Sequence, residues 1–541
     1  MKFGGWSVAA ILAVLALNFA ALALRPPEPA PVSAGPKVFS AARAMADVRA
    51  IAQKPHAFAS PELGRVQTLV ESRMGELGLE PQRREFQAKG LAGRNLLGVL
   101  PGQDRAAPAV LLMAHSDSVP AGPGAADDGA GVAAVLETVR ALKAAGPLRR
   151  DVMVLITDGE EAGLLGAESF FSADPARSRV GVVINLEARG NRGRAVMFET
   201  HRGAAPMIAF LTHAGGLAAA SSLMPDLYRR LPNDTDLTEA VQRGYAGLNF
   251  AFFSGLQAYH RAADNPDSLD PGSLQHIGEQ ALRAASALAS APALPGRAPD
   301  RAYADVMGGP VLQYPAVVGW ALVLISGAAV AVWALKAARE GRLTRAGAAG
   351  GVLAFLLLLV LLAAAFWALG EIRVLAAGRH MAPLLRRQEM ALAGAGLVAF
   401  GACLGWFALA ARRLDSAALQ LGALTLLFAA ALAVQALAPL DAFLFAWPLL
   451  LLTLGLTLAG SAGPWACYLS ALAVLMQVFY WAGLMFDLVG QTTPAALVPF
   501  AAVAAAAILS VAPPRAGRRE AAVALGGAGL GLALALAALL P

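Results

Sequence analysis

Cysteine is nearly absent: 541 residues hold two, Cys403 and Cys467, and both lie inside apolar stretches. A disulfide framework and a thiolate-built zinc site are thereby excluded, and both cysteines read as small packing hydrophobes. The part of the chain before position 315 has none, which suits an oxidising compartment. Charge is scarce too, at 15% of residues against 57% hydrophobic, with a mean hydropathy of +0.57. That is too apolar for one soluble body, and the excess lies beyond about position 315. The chain therefore reads as two bodies, one soluble and one membranous. The formal net charge of +6 comes from short arginine clusters between apolar runs, so membrane topology explains it and nucleic acid is not an expected partner.

Taken in order, residues 1–25 read as an N-terminal transmembrane anchor, with Lys2 ahead of an apolar run of roughly 20 residues, enough to span a bilayer. Ala21-Leu22-Ala23 offers a cleavage signal, but the run is longer than a usual signal core, so a retained anchor is the expectation. A Pro/Ala linker covers 26–37. Residues 38–300 have the pattern of one α/β domain, 301–315 of a second linker, and 316–541 of an eight-helix transmembrane domain. Within the α/β domain, residues 41–53, 65–77 and 132–143 read as amphipathic helices. The runs 110–113, 152–156, 182–186 and 248–253 read as buried strands. Their alternation predicts a mixed, mostly parallel sheet flanked by helices.

Polar clusters follow those strands: His115-Ser116-Asp117 with Asp127-Asp128-Gly129, then Asp158-Gly159-Glu160-Glu161, then Glu187-Ala188-Arg189-Gly190, then Tyr259-His260. Open α/β sheets bind ligands at the carboxyl ends of their strands, so these clusters are expected to converge. Imidazole and carboxylate donors without thiolate suit hard-to-borderline divalent metals. Five such groups shared by two ions, one carboxylate bridging, would leave room for a reacting water. Of the adjacent pair Glu160-Glu161, one carboxylate can bind metal while the other serves as a base. Taken singly, each cluster has a bland reading, as a turn or a solvated face; their joint occurrence after successive strands raises them above it.

The stretch from His115 to Gly131, with Asp158-Gly159-Glu160-Glu161, residues 185–190, Tyr259-His260, Asp264-Asn265-Pro266 and residues 270–276, resembles the signature of the di-zinc aminopeptidases. Their clan also holds glutamate carboxypeptidase and the transferrin receptor. Within it the chain is most similar to the membrane-bound subgroup, of the endoplasmic reticulum metallopeptidase and vacuolar membrane protease type, in which a peptidase domain precedes a multi-span tail. The resemblance implies two Zn2+ ions: His115, Asp127 and Glu187 on one, Asp127, Glu161 and His260 on the other, with Asp127 bridging. It implies Glu160 as the general base, Asp117 as the group fixing the tautomer of His115, Tyr259 as an aid to the oxyanion, and a cis peptide at Asp127–Asp128. Glu187 stands where many secreted relatives have aspartate, which alters how a substrate's free amine is held. Residues 232–236 replace a serine-aspartate loop near the substrate, and His276 is read as structural. The implied activity is hydrolysis of a peptide substrate, with an aminopeptidase preference.

The apolar runs of the tail are expected to span at about 316–335, 347–370, 389–411, 416–438, 442–460, 465–486, 494–512 and 521–540, which makes about nine spans in the lipid bilayer with the anchor. Placing Lys2 inside leaves Lys336, Arg339, Arg342, Arg345, Arg412, Arg413, Arg515, Arg518 and Arg519 inside and, among the loops between tail spans, only Arg373, Arg379, Arg386 and Arg387 outside. The peptidase domain then faces the periplasm or lumen. The outer stretch 371–389 is the exception, read as an amphipathic surface helix. Two rivals share the fold: a single-zinc glutaminyl cyclase-like enzyme and a non-catalytic receptor or scaffold. A transporter tail is unsupported, since ionisable groups are not placed at mid-span.

Overall fold

The computed structural model describes the chain apart from residues 1–4, 216–218, 379, 386, 491, 512–517 and 541. Lys2, Arg379, Arg386 and Arg515, counted above, lie outside the described residues. The chain divides into two compact units, residues 25–313 and residues 1–24 with 314–541.

The first unit is built on seven strands: β1 (Gln82–Ala88), β2 (Leu91–Leu100), β3 (Ala109–His115), β4 (Val152–Thr157), β5 (Val180–Ala188), β6 (Arg192–Thr200) and β7 (Ala246–Ser254). They lie in the order β1-β2-β4-β3-β5-β7-β6. The central four, β4, β3, β5 and β7, run parallel, while β1, β2 and β6 pair antiparallel at the two sides. The reason lies in the central sequences. Every residue of β3 and β4 is buried, because alternate side chains enter two different cores. Val110, Leu112 and Ala114 pack with Val132, Val135 and Ile277 of the helices Gly129–Ala145 and Pro271–Ser290. Leu111 and Met113 pack on the other face with Phe170, Phe171 and Leu237. This is the mixed sheet flanked by helices that the alternating pattern predicts.

In the second unit, eight helices among the described residues are long and apolar enough to cross a bilayer, the N-terminal one included. The ninth expected span, 521–540, coincides with the helix Arg518–Ala537. The helix Arg345–Ala376 shows how these elements meet two solvents. Phe355, Leu358, Leu362, Phe366 and Leu369 face the bundle, whereas Leu353, Val360 and Trp367, seven residues apart, stand exposed. An apolar stripe of that kind belongs against lipid.

Among the described residues of 371–389 no separate surface helix forms. Arg345–Ala376 continues through Glu371 and Arg373, and a single turn, Met381–Leu384, follows. Arg373 is buried and donates to the carbonyl of Leu384 at 2.8 Å, which turns its charge inward and lets the helix run on.

Candidate metal centre

Parallel neighbours end side by side, so β3, β4, β5 and β7 deliver their polar termini to one edge. His115 is the last residue of β3, Glu187 the next to last of β5, and Glu160, Glu161 and His260 follow β4 and β7 in loops. Asp127 arrives on the loop after His115. That loop turns at Gly124 (φ +64°), where a Cβ would lie 2.6 Å from the carbonyl oxygen of Asp127, so only glycine fits. The peptide Asp127–Asp128 is cis, as the resemblance implies.

The structure brings together His115, Asp127 and Glu187 in one group, and Asp127, Glu161 and His260 in another, each with ligand atoms within 4.8 Å of one another. Asp127 has one oxygen on each side. Its Oδ1 lies 3.2 Å from Nε2 of His115, and its Oδ2 lies 3.2 Å from Nε2 of His260. Glu187 Oε2 is 3.7 Å from His115 Nε2, and Glu161 Oε1 is 3.1 Å from His260 Nε2.

Divalent metal fits this donor set. Ligands about 2.0 Å from a tetrahedral zinc stand roughly 3.3 Å apart, and the histidine nitrogens lie 3.1–3.7 Å from their carboxylate partners. The buried Glu161 Oε1 makes no hydrogen bond despite its distance from His260. Among the described residues, no lysine or arginine pairs with Asp127, Glu161 or Glu187, so their charge calls for a cation.

Residues 95–285 match the family model Peptidase family M28. This stretch of the first unit is therefore similar to the M28 peptidases. Over 247 residues the chain is 31% identical to the vacuolar membrane protease of Candida dubliniensis, covering 43% of this chain and 26% of that one. Over 235 residues it is 31% identical to endoplasmic reticulum metallopeptidase 1 of Rattus norvegicus, covering 42% and 26%. The matches thus span about a quarter of the length of these curated relatives. Among solved structures, the aminopeptidase of Aneurinibacillus sp. strain AM-1 aligns with a TM-score of 0.41 at 13% identity, over 49% of this chain and 97% of that one.

Around the two candidate metal groups the structure corrects one expected contact. The ring nitrogen Nδ1 of His115 is 2.9 Å from the main-chain carbonyl of Asp117 but 3.6 Å from its carboxylate, too far for a hydrogen bond. The carbonyl fixes the tautomer. The Asp117 carboxylate instead accepts the main-chain N–H of Glu160 at 3.0 Å and of Glu161 at 3.2 Å. It clamps the turn that presents both glutamates.

Burial raises Glu160 well above the usual carboxylate range, and Asp236, Asp127 and Glu161 add to this, while His115 opposes it. Burial works against a charged His260, yet contacts with Asp127 and Glu161 push it up to about 10. His260 also sits in the left-handed region (φ +58°), which a side chain adopts only when its surroundings enforce it. Tyr259 stacks on the His260 ring at 3.7 Å, and Arg189 lies over the tyrosine ring at 5.9 Å. Burial and the carboxylates of Asp127 and Glu161 raise the Tyr259 phenol, which therefore stays a donor.

Several supporting residues carried no assigned role in the sequence. Asp264, pushed up to about 7 by burial, accepts the N–H of Ala126 at 2.7 Å and of Asp127 at 3.2 Å. Asp128 caps the helix Gly129–Ala145 through Gly131 N–H and accepts the N–H of His115. Asp236, from the loop left without a role, is buried and bonds the hydroxyl of Thr157. His276 is buried, and its Nδ1 accepts the N–H of Ala195 at 2.9 Å, far from both metal groups in role.

Proposed function

We propose that the chain is a membrane-bound, two-zinc peptidase that releases residues from the amino ends of peptides on the periplasmic or lumenal side. The observation that carries it is Asp127, with one carboxylate oxygen 3.2 Å from each of two histidines that have their own carboxylate partners. His115, Asp127 and Glu187 would hold one zinc, and Asp127, Glu161 and His260 the other. Zinc, when bound, polarises a carbonyl and makes water a nucleophile at neutral pH.

The remaining steps belong to the chain. Glu160, held in place at its main chain by Asp117, takes the proton of the attacking water and passes it to the leaving amine. The Tyr259 hydroxyl donates to the oxygen on which negative charge develops. The raised Glu160 suits a group that must accept a proton and then give it away. The exoplasmic side follows from the lysine and arginine count around the spans.

The test is to strip metal from the purified chain, restore zinc, and assay aminoacyl-anilides beside Glu160→Ala. Chelation is expected to abolish activity, zinc to restore it, and the substitution to lower kcat by about 10²–10⁴. Activity that survives both treatments overturns the mechanism. Peptides with a blocked amino end separate an aminopeptidase from an enzyme that cuts internally.

A further inference from the structure

Three residues lie side by side across three neighbouring strands beside the metal groups. Asn185 on β5 is in register with Asn249 on β7, and Asn249 with Glu199 on β6. Asn185 and Asn249 are fully buried and Glu199 is nearly so. Their hydrogen bonds have a direction. The Glu199 carboxylate accepts the hydroxyls of Thr235 at 3.0 Å and Thr238 at 3.2 Å, and the amide of Asn249 at 3.0 Å. Asn249 also donates to Thr235 at 2.8 Å, and its oxygen accepts from Asn185 at 3.2 Å. Asn185 spends its second N–H on Glu187 Oε1 at 3.1 Å.

An amide has one accepting end and one donating end, whereas an ionised carboxylate only accepts. Glu199 therefore fixes which way Asn249 points, and Asn249 fixes Asn185. The last donation occupies Oε1 of Glu187 and leaves Oε2, the oxygen 3.7 Å from His115 Nε2, as the one turned to the metal group. Asn185 Oδ1 is buried without any hydrogen-bond partner. An unsatisfied buried acceptor is rare in native proteins and calls for a reason. Here the reason is that both N–H bonds are committed to one direction.

We propose that Glu199, which touches no ligand, is the positioning residue that orients this row and so presents Glu187 to its metal by a single oxygen. The proposal rests on the two-zinc reading above and makes that site asymmetric. Only the ion held by His115, Asp127 and Glu187 depends on Glu199; the ion held by Asp127, Glu161 and His260 does not.

The test measures zinc binding by the full chain in detergent, by competition with a chromogenic chelator. Wild type comes first: fewer than two ions overturns the two-zinc reading itself, before any variant is made. Glu199→Gln puts an N–H where an acceptor is needed and is expected to weaken one of the two ions by about ten-fold or more, the usual cost of losing an outer partner. The other ion should hold its affinity. Adding Asn249→Asp reverses the polarity of the row: the new glutamine donates to the new aspartate, which again accepts from Asn185. This pair should restore the weakened ion. Asn185→Ser, which deletes the last amide, should reproduce the one-ion loss. Equal weakening of both ions, wild-type affinity in Glu199→Gln or Asn185→Ser, or no rescue in the double variant overturns the proposal.

Discussion

At the scale of single residues, the most exacting contact is the Asp117 carboxylate, which receives two consecutive main-chain N–H groups, those of Glu160 and Glu161. Asp117→Asn keeps the shape but turns a donor towards one of those N–H groups. The expected result is a kcat lowered by about ten-fold or more with folding retained, read from steady-state kinetics beside a circular dichroism spectrum. A second residue effect concerns pH. Burial holds His276 down to about 3, with Arg194 and Arg283 adding to it, against about 6.5 in the unfolded chain. Between those values the unfolded state binds a proton that the folded state refuses. Stability is thus expected to fall on acidification below about 6.5, by up to ~1.4 kcal/mol per pH unit. His276→Gln should remove that slope from the pH series of melting temperatures; an unchanged slope refutes it. The legibility of these residues follows from what they touch. His115, Asp127, Glu160, Glu161, Glu187 and His260 could be picked out because their side-chain types at strand ends are informative by themselves. The true target of Asp117 could not, since it bonds main chain, which every residue has. Asn185 and Asn249 join across 64 positions, and no spacing rule reaches that far.

At the scale of elements, strands buried on both faces announced themselves. The apolar runs of β3, β4 and β5 were readable because two cores demand apolar side chains at every position. β1 was not, because Gln82–Ala88 is an edge strand with only Phe86 buried, and Arg83 and Glu85 face water. Helix contacts in the tail were equally hidden in composition. Gly351 of Arg345–Ala376 meets Ser416–Leu437 so closely that a Cβ would lie 1.9 Å from the carbonyl of Ala418, and one on Gly422 would lie 2.1 Å from the carbonyl of Gly351. Gly396, also in a helix, has nothing within 4 Å. Gly351→Ala is therefore expected to lower stability in detergent by about 1–3 kcal/mol, as overpacking does. Gly396→Ala serves as the silent control, and equal melting temperatures for the two would refute the packing argument.

At the scale of the whole molecule, the arginine-rich segments carry the proposed orientation. A reporter fused after position 541 is expected outside, and one placed in the turn at Arg412–Arg413 inside. Protease added to the exoplasmic face of the membrane, after the outer membrane or the closed compartment has been opened, should reach residues 25–313. The opposite pattern would reverse the proposed side, and a cytoplasmic reporter after position 541 would mean an even number of spans. One feature of the sheet then bears on how the protein is made. The five groups proposed to hold zinc come from the ends of four strands and are scattered from His115 to His260, so the emerging polypeptide would carry no zinc pocket. In the orientation proposed, a chain that crosses the membrane unfolded would bring those strands together only after export. On the proposed reading, metal would then be loaded on the far side of the membrane, so activity would follow the zinc available there and not in the cytoplasm.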